Sequence, residues 1–236
     1  MTKKLRTPYF ETGVKCYIFG QEEIDYALKA EEYAAKYDID VLFISSYVNI
    51  KTIAAKCPHL FIIAPYMDNI TPGRGMGKVL PESLKAAGAD GVVINHCEKP
   101  MFLSDIQGCI DRCKELGLLS FVCANTTNEA MAVAQLHPNI MNPEPSELIG
   151  TGVSPDLEYV TRTVDAIKKI DKEIITEIAA GITTPEDVYT YLMAGSDGAG
   201  AASGILKSEH PYELLEEMIK AVRRAKDDLT KGTGDH

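Results

Sequence analysis

Three side chains in this sequence are of the types that move protons or hold charge, and each stands at the end of an apolar run. Glu144 follows the short run Ile140–Asn142, His96 follows Gly91–Ile94 with Asn95 between, and Lys15 closes the run Tyr9–Lys15. Glu144 leads into Pro145-Ser146-Glu147-Leu148-Ile149-Gly150-Thr151-Gly152. Pro145 cannot donate to a sheet ladder, so it ends the strand. The Gly-Thr-Gly that closes the stretch allows unusual backbone angles and close approach to a ligand. Two more stretches of small residues, Ala180-Gly181-Ile182-Thr183 and Gly200-Ala201-Ala202-Ser203-Gly204, can bring backbone N–H groups up to an anion. Taken together, a carboxylate, an imidazole, a cation and an anion-binding backbone suit one chemistry. It is removal of a proton next to a carbonyl in a small phosphorylated substrate. Singly, each residue has a plain structural reading: a solvated lysine, a hydrogen-bonded histidine, turn glycines.

What must position these groups is an alternation of strands and helices. Apolar runs predict strands at Tyr9–Lys15, Val41–Ile44, Leu60–Ala64, Gly91–Ile94, Leu118–Val122, Ile140–Asn142, Ile174–Ile178 and Gly198–Ala201. Helical spacing predicts helices at Gln21–Tyr37, Val48–Lys56, Pro81–Ala87, Leu103–Leu116, Leu157–Ile170 and Tyr212–Lys226. Two more are read from their starts. Asn128 is expected to cap a helix ending at Gln135, and Thr184-Pro185-Glu186-Asp187 supplies a cap, an N1 proline and first-turn acids. Asp68–Lys78 holds Thr71-Pro72-Gly73-Arg74-Gly75-Met76-Gly77 and reads as a projecting loop.

Eight strands and eight helices without a linker point to an α/β chain forming a single (β/α)8 barrel over 1–236. The polar tail from Thr230 to His236 is expected to fray. A barrel of this kind takes about 250 residues and carries its catalytic groups at the C-terminal strand ends. The rival, a doubly wound open sheet, lacks support. Its Gly73–Gly77 cluster follows a strand only after a long polar gap, unlike a dinucleotide turn.

Composition narrows the partners. A net charge of −10 argues against nucleic acid and anionic membranes, and requires a local positive pocket for any anionic substrate. No run is long enough to span a bilayer, and Met1–Arg6 is not followed by the apolar segment of a secretory signal. The six cysteines lack zinc-site spacing; Cys109 and Cys113 read as helix residues. Reduced thiols in the cytoplasm are the simplest account. Neither metal nor cofactor is expected.

Two motifs resemble those of a known family. Asn95-His96-Cys97-Glu98-Lys99 is similar to the Asn-His-Ser-Glu-Lys stretch of triosephosphate isomerases of the compact archaeal type, and Glu144–Gly152 resembles their catalytic glutamate and phosphate-gripping loop. The likeness runs in good register from about Ile62 onward. It implies a TIM barrel and a cofactor-free aldose–ketose isomerase acting on dihydroxyacetone phosphate and glyceraldehyde 3-phosphate through an enediolate. It further implies Glu144 as base, His96 as electrophile and Lys15 as substrate-binding cation, with Glu98 pairing the lysine and Asn95 in support. Phosphate would be held by Gly150, Gly181, Ala202 and Ser203, and the chain would form a homodimer or homotetramer.

Three departures qualify this picture. Gly13-Val14-Lys15 stands where the family has Asn-x-Lys, Met76 replaces an interface threonine, and Cys97 replaces a serine. Gly13 removes a side chain near the substrate oxygens, which keeps two alternatives open. One is an isomerase of a four-carbon sugar phosphate, and the other a sugar-phosphate-binding paralogue with little turnover.

Overall fold

The computed structural model describes residues 3–232, so Met1, Thr2 and residues 233–236 of the expected polar tail lie outside it. Eight parallel strands form a closed barrel in sequence order. They are β1 (Tyr9–Gly13), β2 (Val41–Ile44), β3 (Leu60–Ala64), β4 (Gly91–Ile94), β5 (Leu119–Ala124), β6 (Ile140–Pro143), β7 (Ile175–Ile178) and β8 (Gly198–Gly200). The helices are α1 (Gln21–Tyr37), α2 (Ile50–Lys56), α3 (Pro81–Ala87), α4 (Leu103–Leu116), α5 (Thr127–Ala134), α6 (Leu157–Ile170), α7 (Pro185–Met193), α8 (Ser203–Leu206) and α9 (Pro211–Gly232). No described helix is long and apolar enough to cross a membrane.

The strands are apolar on both faces because both faces are covered. Tyr9, Leu42, Phe61, Ile63, Val93, Phe121, Cys123 and Ile140 fill the barrel, while their neighbours Phe10, Val41, Phe43, Ile62 and Val122 pack in the layer beneath the helices. The shortest strand, β8, places little volume inside. A Cβ on its Gly198 would overlap the ring of Tyr9, so that tyrosine fills the space the glycine leaves. Thr12 ties the first strand to the last: its hydroxyl donates to Ala201 O at 3.0 Å and takes part in a 2.8 Å bond with Tyr26 of α1.

Several boundaries differ from the sequence reading, for local reasons. Strand β1 stops at Gly13, since Lys15 turns left-handed at φ 45° and cannot continue a strand. Helix α5 is capped by Thr126, whose hydroxyl accepts from Glu129 N–H at 3.1 Å, so Asn128 lies inside the helix. Helix α2 begins at Ile50, two residues late, and leaves Val48 exposed. Strand β5 is shifted to Leu119–Ala124; β6 gains Pro143, β7 starts at Ile175 and β8 ends at Gly200. The capping box of Thr184 and Asp187 does open α7. Helix α9 runs to Gly232, past Thr230 where the polar tail was expected to begin; the rest of that tail lies outside the described residues. Surface pairs one turn apart, Arg223 with Asp227 at 2.7 Å and Lys231 with Asp228 at 3.0 Å, support a stretch too polar to read as helix.

The loop between β3 and α3 is pinched at its base. Asp68 N–H donates to Val79 O at 3.0 Å, and Val79 N–H donates to the Asp68 carboxylate at 2.7 Å. Beyond this clasp residues 71–78 are exposed, and the Met76 side chain meets no cover at all. An apolar side chain at the tip of a braced loop calls for a partner surface, so self-association through this loop is proposed. Light scattering at micromolar protein should give a dimer or tetramer; a monomer would count against it.

Candidate active site

Glu144 is fixed by the strand before it. Its N–H donates to Ala124 O at 2.8 Å, which continues the β5–β6 ladder one residue past the last paired position. The side chain turns inward and is nearly buried. Burial pushes its carboxyl up to about 7, while the Lys15 charge pulls it down, Glu98 raises it and the Asn142 side chain lowers it. A carboxylate at this value is half ionised near neutrality, where a general base works best.

Facing it at 3.9 Å is Nε2 of His96. The imidazole is held by the turn after β4. Asn95 takes a left-handed φ of 61°, which asparagine tolerates, and both ends of its amide are used. Its Oδ1 accepts from Met101 N–H at 2.9 Å and its Nδ2 donates to Cys123 O at 3.0 Å. Glu98 N–H donates to Nδ1 of His96 at 3.1 Å. Burial, reinforced by the Lys15 charge, lowers the affinity of the ring for a second proton. A neutral ring that accepts at Nδ1 must carry its proton on Nε2, on the side of Glu144. Cys97 Sγ lies 3.9 Å from Nδ1 and makes at best a weak contact there.

Lys15 donates to Glu98 Oε1 at 2.7 Å. Burial alone would lower its pKa; the bond to Glu98 and the charges of Glu98 and Glu144 carry it above the ordinary value, so it stays charged. Its left-handed backbone is an unusual conformation for lysine, of the kind worth about 1–3 kcal/mol and found at functional sites.

These groups share one cavity of about 840 Å³ with the backbone-rich loops. Gly13, Lys15, His96, Glu98, Glu144, Gly150, Gly181, Ala202 and Ser203 all line it; Asn95 does not, and acts through the bolt just described. Gly181 has φ 71°, and a Cβ there would overlap the carbonyl of Val153, so the loop after β7 lies directly on the end of the glutamate loop. Helix α8 adds one turn after β8, whose first N–H groups have no partner within the helix. Gly13 does not leave an open hole. A Cβ there would sit 3.2 Å from Ile44 Cβ and 3.3 Å from Glu11 Oε1. Among the described residues no group of three or more His, Cys, Asp or Glu is placed to hold a metal ion.

Sequence reasoning missed Glu11, Asn142 and Glu177. Glu11 and Asn142 line the cavity, and Glu177 lies behind Glu11 in the barrel. The available signal was an acid in the middle of a strand, in Phe10-Glu11-Thr12 and Thr176-Glu177-Ile178.

A buried carboxylate facing the Nε2–H of a neutral imidazole at the mouth of a parallel barrel is an arrangement suited to shifting a proton between adjacent carbons, as barrel isomerases do. Comparison with known proteins narrows the class. The triosephosphate isomerase family model matches residues 11–222. The triosephosphate isomerase of Methanocaldococcus jannaschii is 37% identical over 206 residues, covering 86% of this chain and 94% of the relative. That of Saccharolobus solfataricus is 34% identical over 226 residues, covering 94% and 99%. The chain belongs to the triosephosphate isomerase family.

The electrostatics yield a check on this site. Since the Lys15 charge lowers the Glu144 pKa, Lys15→Met should raise the Glu144 midpoint clearly above about 7. Carboxyl ¹³C chemical shifts followed against pH would measure it; an unchanged or lower midpoint would show that the two charges do not interact.

Proposed function

We propose that this protein is an aldose–ketose isomerase of a small sugar phosphate, with dihydroxyacetone phosphate and glyceraldehyde 3-phosphate as the pair its relatives' names suggest. The observation that carries this reading is the pairing of a buried Glu144 carboxylate with Nε2–H of a neutral His96 at 3.9 Å. In the proposed step Glu144 removes a proton from the carbon beside the ketose carbonyl. The electron pair left on carbon forms the enediolate double bond, and negative charge develops on the carbonyl oxygen. His96 Nε2–H donates to that oxygen, and the Lys15 ammonium offsets its charge. The proton of the neighbouring hydroxyl passes to the former carbonyl oxygen by way of His96 Nε2, and Glu144 returns its proton to the former carbonyl carbon, which completes the exchange of ketose for aldose.

The backbone groups of Gly150, Gly181, Ala202 and Ser203 are the proposed phosphate cradle. Their place next to the glutamate loop lets phosphate binding organise the base and exclude water, which would otherwise favour loss of phosphate from the enediolate. A protein that only sensed sugar phosphates would need this cradle but no base held near neutrality.

A second reading, a four-carbon ketose phosphate, is favoured by Gly13. The family's Asn side chain is missing there, and the carboxyl of Glu11 stands 3.3 Å from where its Cβ would be, so that a different polar group faces the cavity.

The test of the base is Glu144→Gln, which keeps shape and removes proton affinity. Turnover of the best substrate should fall by roughly 10² to 10⁴, the usual worth of a general base, while phosphate-ester binding persists. In the parent protein kcat/KM should fall as pH drops below about 7, because Glu144 must be ionised to act. Near-parental turnover of purified Glu144→Gln would remove the assignment.

A further inference from the structure

Strand β1 alternates in the usual way. Tyr9 packs inside the barrel and Phe10 beneath the helices. Glu11 therefore points inward, one step below Gly13, and its carboxyl reaches the cavity. It is 5% exposed, and among the described residues its carboxyl makes no side-chain hydrogen bond. Asn142, 3% exposed, also lines the cavity, and its carbonyl oxygen has no partner. Buried polar groups are nearly always paired, so unpaired groups on two residues that line one cavity mark a place where a ligand completes the pairing.

The chain makes room for this arrangement. A Cβ at Gly200 would overlap Glu11 Oε2 and lie 3.1 Å from Glu177 Oε1. The two carboxyls thus flank a position where only glycine fits. Burial and the Glu144 charge push Glu11 up to about 8, against the pull of Lys15. Burial and Glu11 raise Glu177 in turn. Glu11 therefore keeps its proton at neutral pH and can donate, whereas the Asn142 carbonyl can only accept. A hydroxyl can answer either one, since it accepts from the first or donates to the second. An aliphatic end would leave both unpaired, and a second phosphate would face three acids.

Resting on the isomerase reading above, we propose that Glu11 is a specificity-determining residue, whose carboxyl on the cavity floor beneath Gly13 receives a hydroxyl of a ketose phosphate longer than three carbons. The Glu11 carboxyl thus takes over space that the family's Asn side chain would enter, and turns it from recognition of a triose to recognition of a longer polyol.

Calorimetric binding of two unreactive probes tests this without turnover. The probes are glycerol 3-phosphate and a four-carbon tetritol phosphate. The wild-type protein should bind the tetritol phosphate more tightly. In Glu11→Met that preference should fall about tenfold, the size of one lost hydrogen bond. Glu11→Gln should keep most of it, since an amide still donates and accepts. A structural defect would weaken both probes alike, so an equal loss for both in Glu11→Met overturns the proposal, as does a wild type with no preference. Should Glu11→Met fail to fold, the wild-type preference and the Glu11→Gln ratio decide. Absence of isomerisation by the wild type would sink the proposed reaction but leave this binding ratio to judge Glu11.

Discussion

The site depends on keeping one carboxylate buried and still able to ionise. Full burial of Glu144 without compensation would hold its proton too firmly for use as a base; full exposure would make it too weak a base near neutrality. The compromise at about 7 comes from burial against the charge of Lys15. That charge must not neutralise the base outright, and Glu98 prevents this by taking the lysine in a 2.7 Å bond of its own. The same Glu98 fixes the imidazole through its backbone N–H. One residue therefore sets the position of the cation and the tautomer of the ring.

The barrel supplies what this balance needs. Parallel strands with covered faces provide a dry interior, and their C-terminal ends bring residues far apart in sequence to one mouth. The glutamate continues a ladder bond, the histidine follows a left-handed asparagine bolted at both ends, and the lysine leaves β1 through a left-handed turn of its own. The backbone of each is held where it leaves its strand, which is the preorganisation that proton transfer requires. The loops after β6, β7 and β8 meet backbone to backbone, which is why Gly181 and Gly204 have no room for side chains.

Much of this was legible in the sequence because it follows from local rules. Apolar runs bounded by breakers marked the strands, and the capping box at Thr184 and the proline at Pro81 marked helix starts. Glu144, His96 and Lys15 stood out because polar residues at strand ends are conspicuous. What was not legible depends on contacts distant in sequence. Thr126 outcompetes Asn128 as a cap only because of where the chain leaves β5. The last turns of α9 are held by surface pairs, and by Tyr189 of α7 donating to Asp228 at 3.2 Å, in a segment whose composition reads as tail. Glu11 and Glu177 were passed over because an acid inside a strand looks like a solvent-facing position. It becomes an interior one only when the barrel closes and β8 presents glycines opposite.

The proposed reaction removes a proton with a base that exchanges with solvent. The most direct measurement is isomerisation in deuterium oxide by the wild-type protein, with triose and four-carbon ketose phosphates each offered, and the product examined by NMR. Proton transfer through Glu144 predicts deuterium on the carbon that had been the carbonyl. An aldose phosphate formed with no deuterium there, even in part, would contradict removal of the proton by a base that exchanges with solvent.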